Sequence, residues 1–268
     1  SDGQLCEGTA QSPPPLCRPP SAAPAPAMAS TLSSSLRALP RLAPHLAPRL
    51  RSCSAPSPAV FRSSARNNSM ATVAGALGRL QMERSALFVC DVQERFRPVI
   101  ADMPAVIDTT ARMVRGCAEM NIPIIVTEQY PKALGNTVEE VKKHLPESAP
   151  IVEKTMFTML VPDTETHLQG LPDVKQVMLV GIEAHVCVLA TALDLIERGY
   201  EVHIITDGVS SQRLEDRAAA MQRLMQAGAL VSSSEMAFFQ MMGHAKHPNF
   251  KAISGLAKEE RPPQLPRL

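Results

Sequence analysis

The chain has 268 residues, and half of its 24 prolines lie in residues 1–69, which show no apolar periodicity long enough to build a core. Residues 70–268 carry 20 of the 27 basic and 24 of the 26 acidic residues, a net charge of −4 that excludes the basic footprint of nucleic-acid-binding proteins. No apolar run approaches the roughly 18 residues of a membrane span, so the sequence predicts small-molecule partners, without nucleic acid or membrane.

Residues 1–69 have the composition of a targeting segment. No Asp or Glu occurs between Gly8 and Met82, whereas arginines recur among serines and alanines. This pattern is typical of a transit peptide and predicts an organellar protein, mitochondrial rather than plastid, whose presequence starts at Met28. The alternative is a disordered tail without a targeting signal, and the protein would then be cytoplasmic. The sequence thus divides into this N-terminal segment (1–69), one folded domain (70–258) and a C-terminal tail (259–268).

Short apolar runs alternate with helical patterns through the folded domain. Predicted strands cover residues 86–90, 122–127, 151–152, 177–181, 202–206 and 230–232, and predicted helices cover 105–120, 187–198, 214–227 and 235–242. Such uniformly apolar runs suit parallel strands buried on both faces, and the alternation of strand and helix gives βαβ units. We therefore expect an α/β fold, a three-layer α/β/α sandwich around a mostly parallel sheet.

Three reactive side chains end or follow predicted strands, where parallel sheets bind their ligands. They are Asp91, Lys154 and Cys187. Taken singly, each has an ordinary explanation as a turn residue, a solvated charge or a small buried hydrophobe. Together they suit a thiol nucleophile, whose usual pKa of about 8.5 leaves little thiolate at neutral pH. A helix start at Cys187 and the Lys154 ammonium would favour the thiolate, and Asp91 would accept the thiol proton.

Other side chains near these three are weaker candidates. His185 is an alternative base, but it lies in the same tight turn as Cys187, where its ring is expected to face the pocket or another subunit. Glu183 is expected to be held by a structural hydrogen bond. Cys90 and Cys117 are interpreted as buried structural thiols, and the domain has neither a disulfide framework nor zinc-ligand spacing.

Three segments resemble the signature segments of isochorismatase-like cysteine hydrolases. They are residues 87–93 (LFVCDVQ), 153–157 (EKTMF) and 181–187 (GIEAHVC), in the order that the family has them. The resemblance spans roughly residues 83–255. It implies a Rossmann-like sheet of six strands in the order 3-2-1-4-5-6, and a homo-oligomer.

The resemblance also implies the roles of individual residues. The family's catalytic triad falls on Asp91, Lys154 and Cys187. A cis peptide bond is implied between Ile182 and Glu183, and the backbone N–H groups of Glu183 and Cys187 are implied as the oxyanion hole. This chain departs from the related nicotinamidases, which carry a metal-binding Asp-x-His pair where residues 128–130 read EQY. We therefore expect no metal and no cofactor.

The expected function is hydrolysis of an amide-like C–N bond of a small molecule through a thioester intermediate. The expected pocket lining follows the strand ends and comprises Gln93, Phe96, Tyr130, Phe157 and His185. Core packing is the alternative for Phe96 and Phe157. A competing hypothesis is a catalytically inactive binding or interaction module that retains the fold. A role in RNA processing is a third, which the net charge of −4 disfavours.

Overall fold

The computed structural model describes residues 77–263. The transit-peptide segment predicted for residues 1–69 lies outside this range, as do residues 70–76 and 264–268 of the predicted domain and tail. Across the described residues, no helix combines the length and the apolar character needed to cross a bilayer.

The described residues form one sheet of six strands in which all neighbouring strands are parallel. The strands are β1 (Ser85–Cys90), β2 (Ile124–Gln129), β3 (Ile151–Lys154), β4 (Gln176–Gly181), β5 (Glu201–Val209) and β6 (Leu230–Ser232). Their order is β3-β2-β1-β4-β5-β6, which confirms the predicted arrangement. Every residue of β1 and β4 is buried, as expected for central parallel strands with apolar side chains on both faces.

Helices cover both faces of the sheet, so the predicted three-layer sandwich is confirmed. The helices are α1 (Met103–Glu119), α2 (Pro131–Leu134), α3 (Glu139–Lys142), α4 (Pro162–Gln169), α5 (Leu189–Glu197), α6 (Leu214–Gln226), α7 (Ser234–Met242) and α8 (Phe250–Lys258). One apolar cluster, the α1-side cluster, joins the sheet to α1, α7 and α8. The opposite one, the α5-side cluster, joins it to α4, α5 and α6.

Of the strand boundaries that differ from the predicted ones, two have clear reasons. β2 starts at Ile124 rather than Ile122, because the Ile122 N–H instead donates to the Cys117 carbonyl at 2.8 Å and Pro123 has no N–H to donate. β5 runs to Val209, beyond the apolar run 202–206, and its pairing with β4 shifts register after Leu179. Polar residues near the end of β5 interrupt the apolar run, so a search for apolar runs does not detect this extension.

The helix predicted to start at Cys187 is wrong in its first turn. Residues Ala184–Val188 form a π-helical turn, and regular α5 begins at Leu189. The Val188 N–H donates to the Glu183 carbonyl at 3.2 Å, five residues back. A π turn has no apolar period that distinguishes it from an α-helix, so the sequence pattern merges the two.

Four helices have no counterpart among the predicted elements. Two of them, α2 and α3, are single turns, and α4 begins with Pro162 and buries only Thr164 and Leu168. The fourth, α8, is an amphipathic helix that packs on the α1-side cluster through Phe250, Ile253 and Leu256. Its i, i+3, i+6 spacing is a signal from which the helix is predictable.

Candidate active site

The carboxyl ends of three strands bring the predicted reactive residues to one edge of the sheet. Asp91 is the first residue after β1, and Lys154 is the last residue of β3. Cys187 lies in the π turn that follows β4. All three side chains are buried.

Asp91 and Lys154 form a buried ion pair. Lys154 Nζ lies 2.7 Å from Asp91 Oδ2, and their side chains are 0% and 1% exposed. Lys154 Nζ also donates to Gln129 Oε1 at 2.6 Å and to the carbonyls of Met156 and Phe157 at 3.1 and 3.2 Å. The ammonium therefore has one anionic partner and three neutral oxygens, which fix it in place.

The Asp91 carboxylate is the centre of the cluster. Thr127 Oγ1 donates to Asp91 Oδ1 at 2.8 Å, and Cys90 Sγ lies 3.7 Å from Asp91 Oδ2. An interaction with the Cys187 thiol also acts on this carboxylate and lowers its pKa. Asp91 has a φ of 53°, in the left-handed region. A non-glycine residue with that backbone conformation costs about 1–3 kcal/mol, and such residues cluster at functional sites.

The environment shifts the pKa values of both members of the ion pair. Burial raises the pKa of Asp91, and the opposing effects of the Lys154 charge and of the hydrogen bonds from Lys154, Thr127 and Cys187 do not cancel it. Burial alone would lower the pKa of Lys154, but its interactions with Cys90, Asp91 and Cys187 raise it overall. These shifts favour the ammonium form of Lys154 and raise the proton affinity of the Asp91 carboxylate.

Cys187 is held by the geometry of the π turn. Cys187 is 7% exposed, and Thr191 Oγ1 donates a hydrogen bond to the Cys187 carbonyl at 2.6 Å. A cis peptide bond joins Ile182 and Glu183 just before this turn, as the family resemblance implies. Cys187 belongs to the same apolar cluster as Cys90, the last residue of β1.

Gly181 permits the close approach of β4 to β1 at the site. Its φ is 116°, and an added Cβ would lie 2.0 Å from the Cys90 carbonyl oxygen. The next residue, Ile182, donates its N–H to that same carbonyl at 2.9 Å. No side chain fits at position 181 without displacing β1, which Asp91 directly follows.

The two weaker candidates in the turn have partners of their own. His185 Nδ1 lies 3.0 Å from Ser211 Oγ, so its ring is turned to the chain after β5. The Glu183 carboxylate accepts the Gln212 N–H at 2.8 Å, which is the structural hydrogen bond expected for it. Both contacts tie the π turn to residues 211 and 212.

The predicted pocket residues occupy different environments. Gln93 is fully buried, and its side chain bonds the Gln129 N–H at 2.7 Å and the carbonyls of Gln129 and Gly135 at 3.0 and 2.6 Å. Phe96 packs against the α1-side cluster, which matches the core-packing alternative. Tyr130 and Phe157 are 51% and 60% exposed. Gln93 thus stabilises the loop after β2 by hydrogen bonds. The two exposed aromatic side chains flank the site.

A cavity of about 460 Å³ opens beside Lys154. Its lining consists of Tyr130, Pro131, Glu153, Lys154, Thr155, Met156, Val161, Pro162 and Asp163. Of Asp91, Lys154 and Cys187, only Lys154 belongs to this lining. This volume suits a small organic molecule.

Sequence reasoning missed Gln129 and Thr127 as members of the site. Each donates or accepts one hydrogen bond within the Asp91–Lys154 cluster, and both lie on β2 between the strands that carry the pair. Neither is reactive, so only their position at the end of a central strand signals a role. Position, rather than residue type, identifies such supporting residues.

Residues 128–130 do not present a metal-binding pair. The Glu128 carboxylate accepts the Thr137 N–H at 2.6 Å and Asn136 Nδ2 at 3.0 Å. Within residues 77–263, no group of three or more His, Cys, Asp or Glu side chains is arranged to hold a metal ion.

The chain is similar to known proteins of one family. The isochorismatase domain model matches residues 85–236. The secreted isochorismatase effector Isc1 of Phytophthora sojae is 48% identical over 187 residues, which cover 68% of this chain and 89% of that protein. Isochorismatase domain-containing protein 2 of Xenopus laevis is 40% identical over 191 residues, with coverage of 69% and 89%. The solved structure of the MAR1 ribonuclease from Caenorhabditis elegans has a TM-score of 0.66 at 45% identity, covering 69% of this chain and 95% of that one.

Proposed function

Because the chain belongs to the isochorismatase family of hydrolases, we propose that it is a metal-independent cysteine hydrolase that cleaves an amide-like C–N bond of a small molecule. The observation that carries this proposal is the buried Asp91–Lys154 ion pair at the sheet edge where the π turn after β4 also places the buried Cys187. A base, a fixed positive charge and a nucleophile thus share one water-poor site, as covalent catalysis requires.

In the first half of the proposed reaction, Asp91 takes the proton of the Cys187 thiol. The thiolate attacks the carbonyl carbon of the substrate, and the charge of Lys154 stabilises the thiolate. The backbone N–H groups of Glu183 and Cys187 are our proposed donors to the oxyanion. When the C–N bond breaks, Asp91 returns its proton to the leaving amine and an acyl thioester remains on the Cys187 sulfur.

In the second half, water hydrolyses the thioester. Asp91, again a carboxylate, takes a proton from the water as its oxygen attacks the thioester carbonyl. The C–S bond then breaks, the acid product leaves, and the proton on Asp91 returns to the Cys187 sulfur. Its raised pKa suits Asp91 to this role, because the carboxyl must both accept and give up a proton near neutral pH.

The substrate class is limited by the cavity beside Lys154. Its volume of about 460 Å³ suits a small molecule, and the proposed chemistry makes that molecule an amide, imide or carbamoyl compound. Tyr130 and Phe157 are exposed enough to contact such a molecule as it enters. We infer that the fully buried Gln93 acts on the site through Gln129 instead.

A screen of small amides, imides and carbamoyl compounds for release of ammonia or amine tests the proposal. We expect turnover that is lost in Cys187→Ser and Asp91→Asn by at least about a hundredfold, as for general-base and nucleophile removal. Cys117→Ser is the matched control, since it removes a buried thiol on the other face of the sheet. Turnover that survives in Cys187→Ser would contradict the proposal.

A second measurement distinguishes an active hydrolase from a binding module that has lost turnover. Iodoacetamide at neutral pH alkylates thiolates, so an activated Cys187 should react faster than a model thiol. That excess rate should disappear in Lys154→Met. A Cys187 that reacts no faster than free cysteine, together with the absence of any turnover, would favour the binding module.

A ribonuclease activity is a second candidate, favoured by the name of the C. elegans relative at 45% identity. The net charge of −4 for residues 70–268 opposes it, because RNA binding rests on phosphate contacts with basic residues. Incubation of purified protein with a labelled RNA, alongside Asp91→Asn, tests it. RNA cleavage that Asp91→Asn abolishes would favour this candidate over amide hydrolysis.

The organellar address and the homo-oligomer stay predictions. Fusing residues 28–69 to a fluorescent reporter tests the first, and a reporter that remains in the cytosol would overturn it. Light scattering of the purified chain gives the oligomeric state.

A further inference from the structure

Cys90 is a second thiol at the site, and the proposed hydrolysis does not use it. It is the last residue of β1, directly before Asp91, and its Sγ lies 3.7 Å from Asp91 Oδ2. Its side chain belongs to the α5-side cluster together with that of Cys187, whereas Cys117 belongs to the α1-side cluster. Two buried thiols therefore belong to one cluster on the same face of the sheet, and one of them lies against the Asp91 carboxylate.

The backbone holds the two thiols in place. Cys90 pairs with Gly181 in the register of β1 and β4, and its carbonyl accepts the N–H of Ile182 at 2.9 Å. The segment that carries Cys187 is thus hydrogen-bonded to the Cys90 backbone where it leaves the sheet. Burial, and secondly a hydrogen-bonding contact with the Cys187 thiol, raise the pKa of the Cys90 thiol. Cys90 therefore stays protonated at neutral pH.

The two cysteines differ in their access to solvent. Cys187 is 7% exposed, whereas Cys90 is 0% exposed. An oxidant in solution therefore reaches Cys187 first, and as the activated thiol it reacts faster. We propose that Cys90 and Cys187 form a reversible disulfide when a hydroperoxide oxidises Cys187. This inference rests on the proposed function for the thiolate character of Cys187.

The proposed oxidation proceeds in two balanced steps. In the first, the Cys187 thiolate attacks the terminal oxygen of the hydroperoxide, an S–O bond forms and the O–O bond breaks. Cys187 becomes a sulfenic acid, and the departing alkoxide or hydroxide takes the thiol proton that Asp91 holds. The sulfur is oxidised by two electrons, and the hydroperoxide is reduced to an alcohol or water.

In the second step, Cys90 attacks the oxidised sulfur. Asp91, now a carboxylate again, accepts the Cys90 proton across the 3.7 Å contact. The S–S bond forms, the S–O bond breaks, and the leaving hydroxide takes the proton from Asp91 as water. Two thiols and one hydroperoxide thus give one disulfide, one water and one alcohol, or a second water when the oxidant is hydrogen peroxide.

The disulfide would switch the site off reversibly. It removes the nucleophile, and it stops Cys187 from advancing to sulfinic acid, which thiols do not reverse. A dithiol reductant would restore both cysteines by thiol–disulfide exchange. Cys90 would thus protect the site during oxidative exposure.

Peptide mapping of the oxidised full-length chain tests the inference directly. Cys90, Cys117 and Cys187 lie on separate tryptic peptides, residues 85–95, 116–132 and 176–198. The chain is treated with stoichiometric hydrogen peroxide, alkylated with N-ethylmaleimide and digested without reductant. We expect a cross-linked pair of peptides 85–95 and 176–198 that dithiothreitol separates.

Two variants provide the controls. Cys117→Ser should leave the cross-linked pair unchanged, because Cys117 lies on the other face of the sheet. In Cys90→Ser, whose folding is checked by circular dichroism, the pair should be lost and peptide 176–198 should gain two or three oxygen atoms. Equal over-oxidation of Cys187 in the parent chain and in Cys90→Ser, with no cross-link in either, would overturn the inference.

The outcome separates this inference from the proposed function, since peptide masses need no turnover. Fast iodoacetamide labelling of Cys187 without any cross-link would remove the disulfide and leave the hydrolase. A Cys90–Cys187 cross-link in a chain whose hydrolysis survives Cys187→Ser would remove the hydrolase and leave the disulfide.

Discussion

Lys154 reaches Asp91 from two strands away and meets it at 2.7 Å. Lys154 ends β3, Asp91 follows β1, and β2 lies between them. Two inter-strand spacings amount to roughly 10 Å, so only a long, straight side chain spans the gap. This geometry explains why lysine, and not a shorter basic group, supplies the positive charge.

Breaking the ion pair should destabilise the fold. Lys154→Met leaves the Asp91 carboxylate buried without its cation, which costs about 3–5 kcal/mol of unfolding free energy. Urea denaturation measures it. The double variant with Asp91→Asn should recover part of the loss, because no unpaired charge remains. Additive losses in the double variant would show that the two side chains do not interact.

A surface ion pair offers the matched control for that experiment. Arg198 Nη1 lies 2.6 Å from Glu165 Oε1, with side chains 44% and 33% exposed. Arg198→Met removes the cation of an equally short but solvated pair, so the loss should stay below about 1 kcal/mol. A loss as large as that of Lys154→Met would assign the effect to side-chain packing.

The pH dependence of Cys187 reactivity should report on Asp91. The base acts as the carboxylate, and burial raises its pKa. The rate of iodoacetamide labelling of peptide 176–198 should therefore fall as the pH drops through a midpoint above the ordinary Asp value of about 3.9. In Lys154→Met the midpoint should move higher still, because the opposing effect of the ammonium is gone. An unchanged midpoint in that variant would argue against Asp91 as the base, and Asp91→Asn should lack this transition.

Gln129 should position Lys154. Replacing it with Leu, which has a similar volume, removes the acceptor 2.6 Å from Lys154 Nζ. A lost hydrogen bond to a charged group is worth about 1.5–3 kcal/mol, so turnover should fall by roughly ten- to a hundredfold. The midpoint of the labelling profile should shift with it, which a merely structural defect would not produce. Gln169→Leu, on the exposed side of α4, is the control that should change neither quantity.

Gly181→Ala should disrupt the site more than a glycine substitution elsewhere. The added methyl group would lie 2.0 Å from the Cys90 carbonyl oxygen, so β1 or β4 must move. Gly228 has a φ of 100° but nothing within 4 Å of an added Cβ, so Gly228→Ala shows the backbone cost alone, about 1–3 kcal/mol. Thermal unfolding and Cys187 labelling should both be worse for Gly181→Ala. Equal effects of the two substitutions would remove the close-approach explanation.

The sequence predicts those parts of the structure that leave an apolar period or a reactive side chain. β1 and β4 are visible as apolar runs because both of their faces are buried. β2 starts later than predicted because of Pro123. β5 ends later than predicted because polar residues near its end interrupt the apolar pattern. Helices of a single turn, such as α2 and α3, are shorter than the window that reveals a period.

The candidate site likewise has residues that the sequence predicts and residues that it does not. Asp91, Lys154 and Cys187 stand out because their side chains are chemically reactive and follow strands. Gln129 and Thr127 are neutral, and their contacts with the pair depend on the strand order, which no local pattern contains. Supporting hydrogen bonds of this kind become visible only when strands distant in sequence lie side by side.

The π turn at Ala184–Val188 amounts to one extra residue inserted where a helix starts. Deleting one residue there would restore a regular α-helical start and rotate the thiol by about 100°, away from the carboxylate. A surface loop absorbs a change of one residue in length at little cost. At this turn the number of residues sets the direction of the Cys187 sulfur. The length of the chain is therefore as constrained here as the identity of its residues.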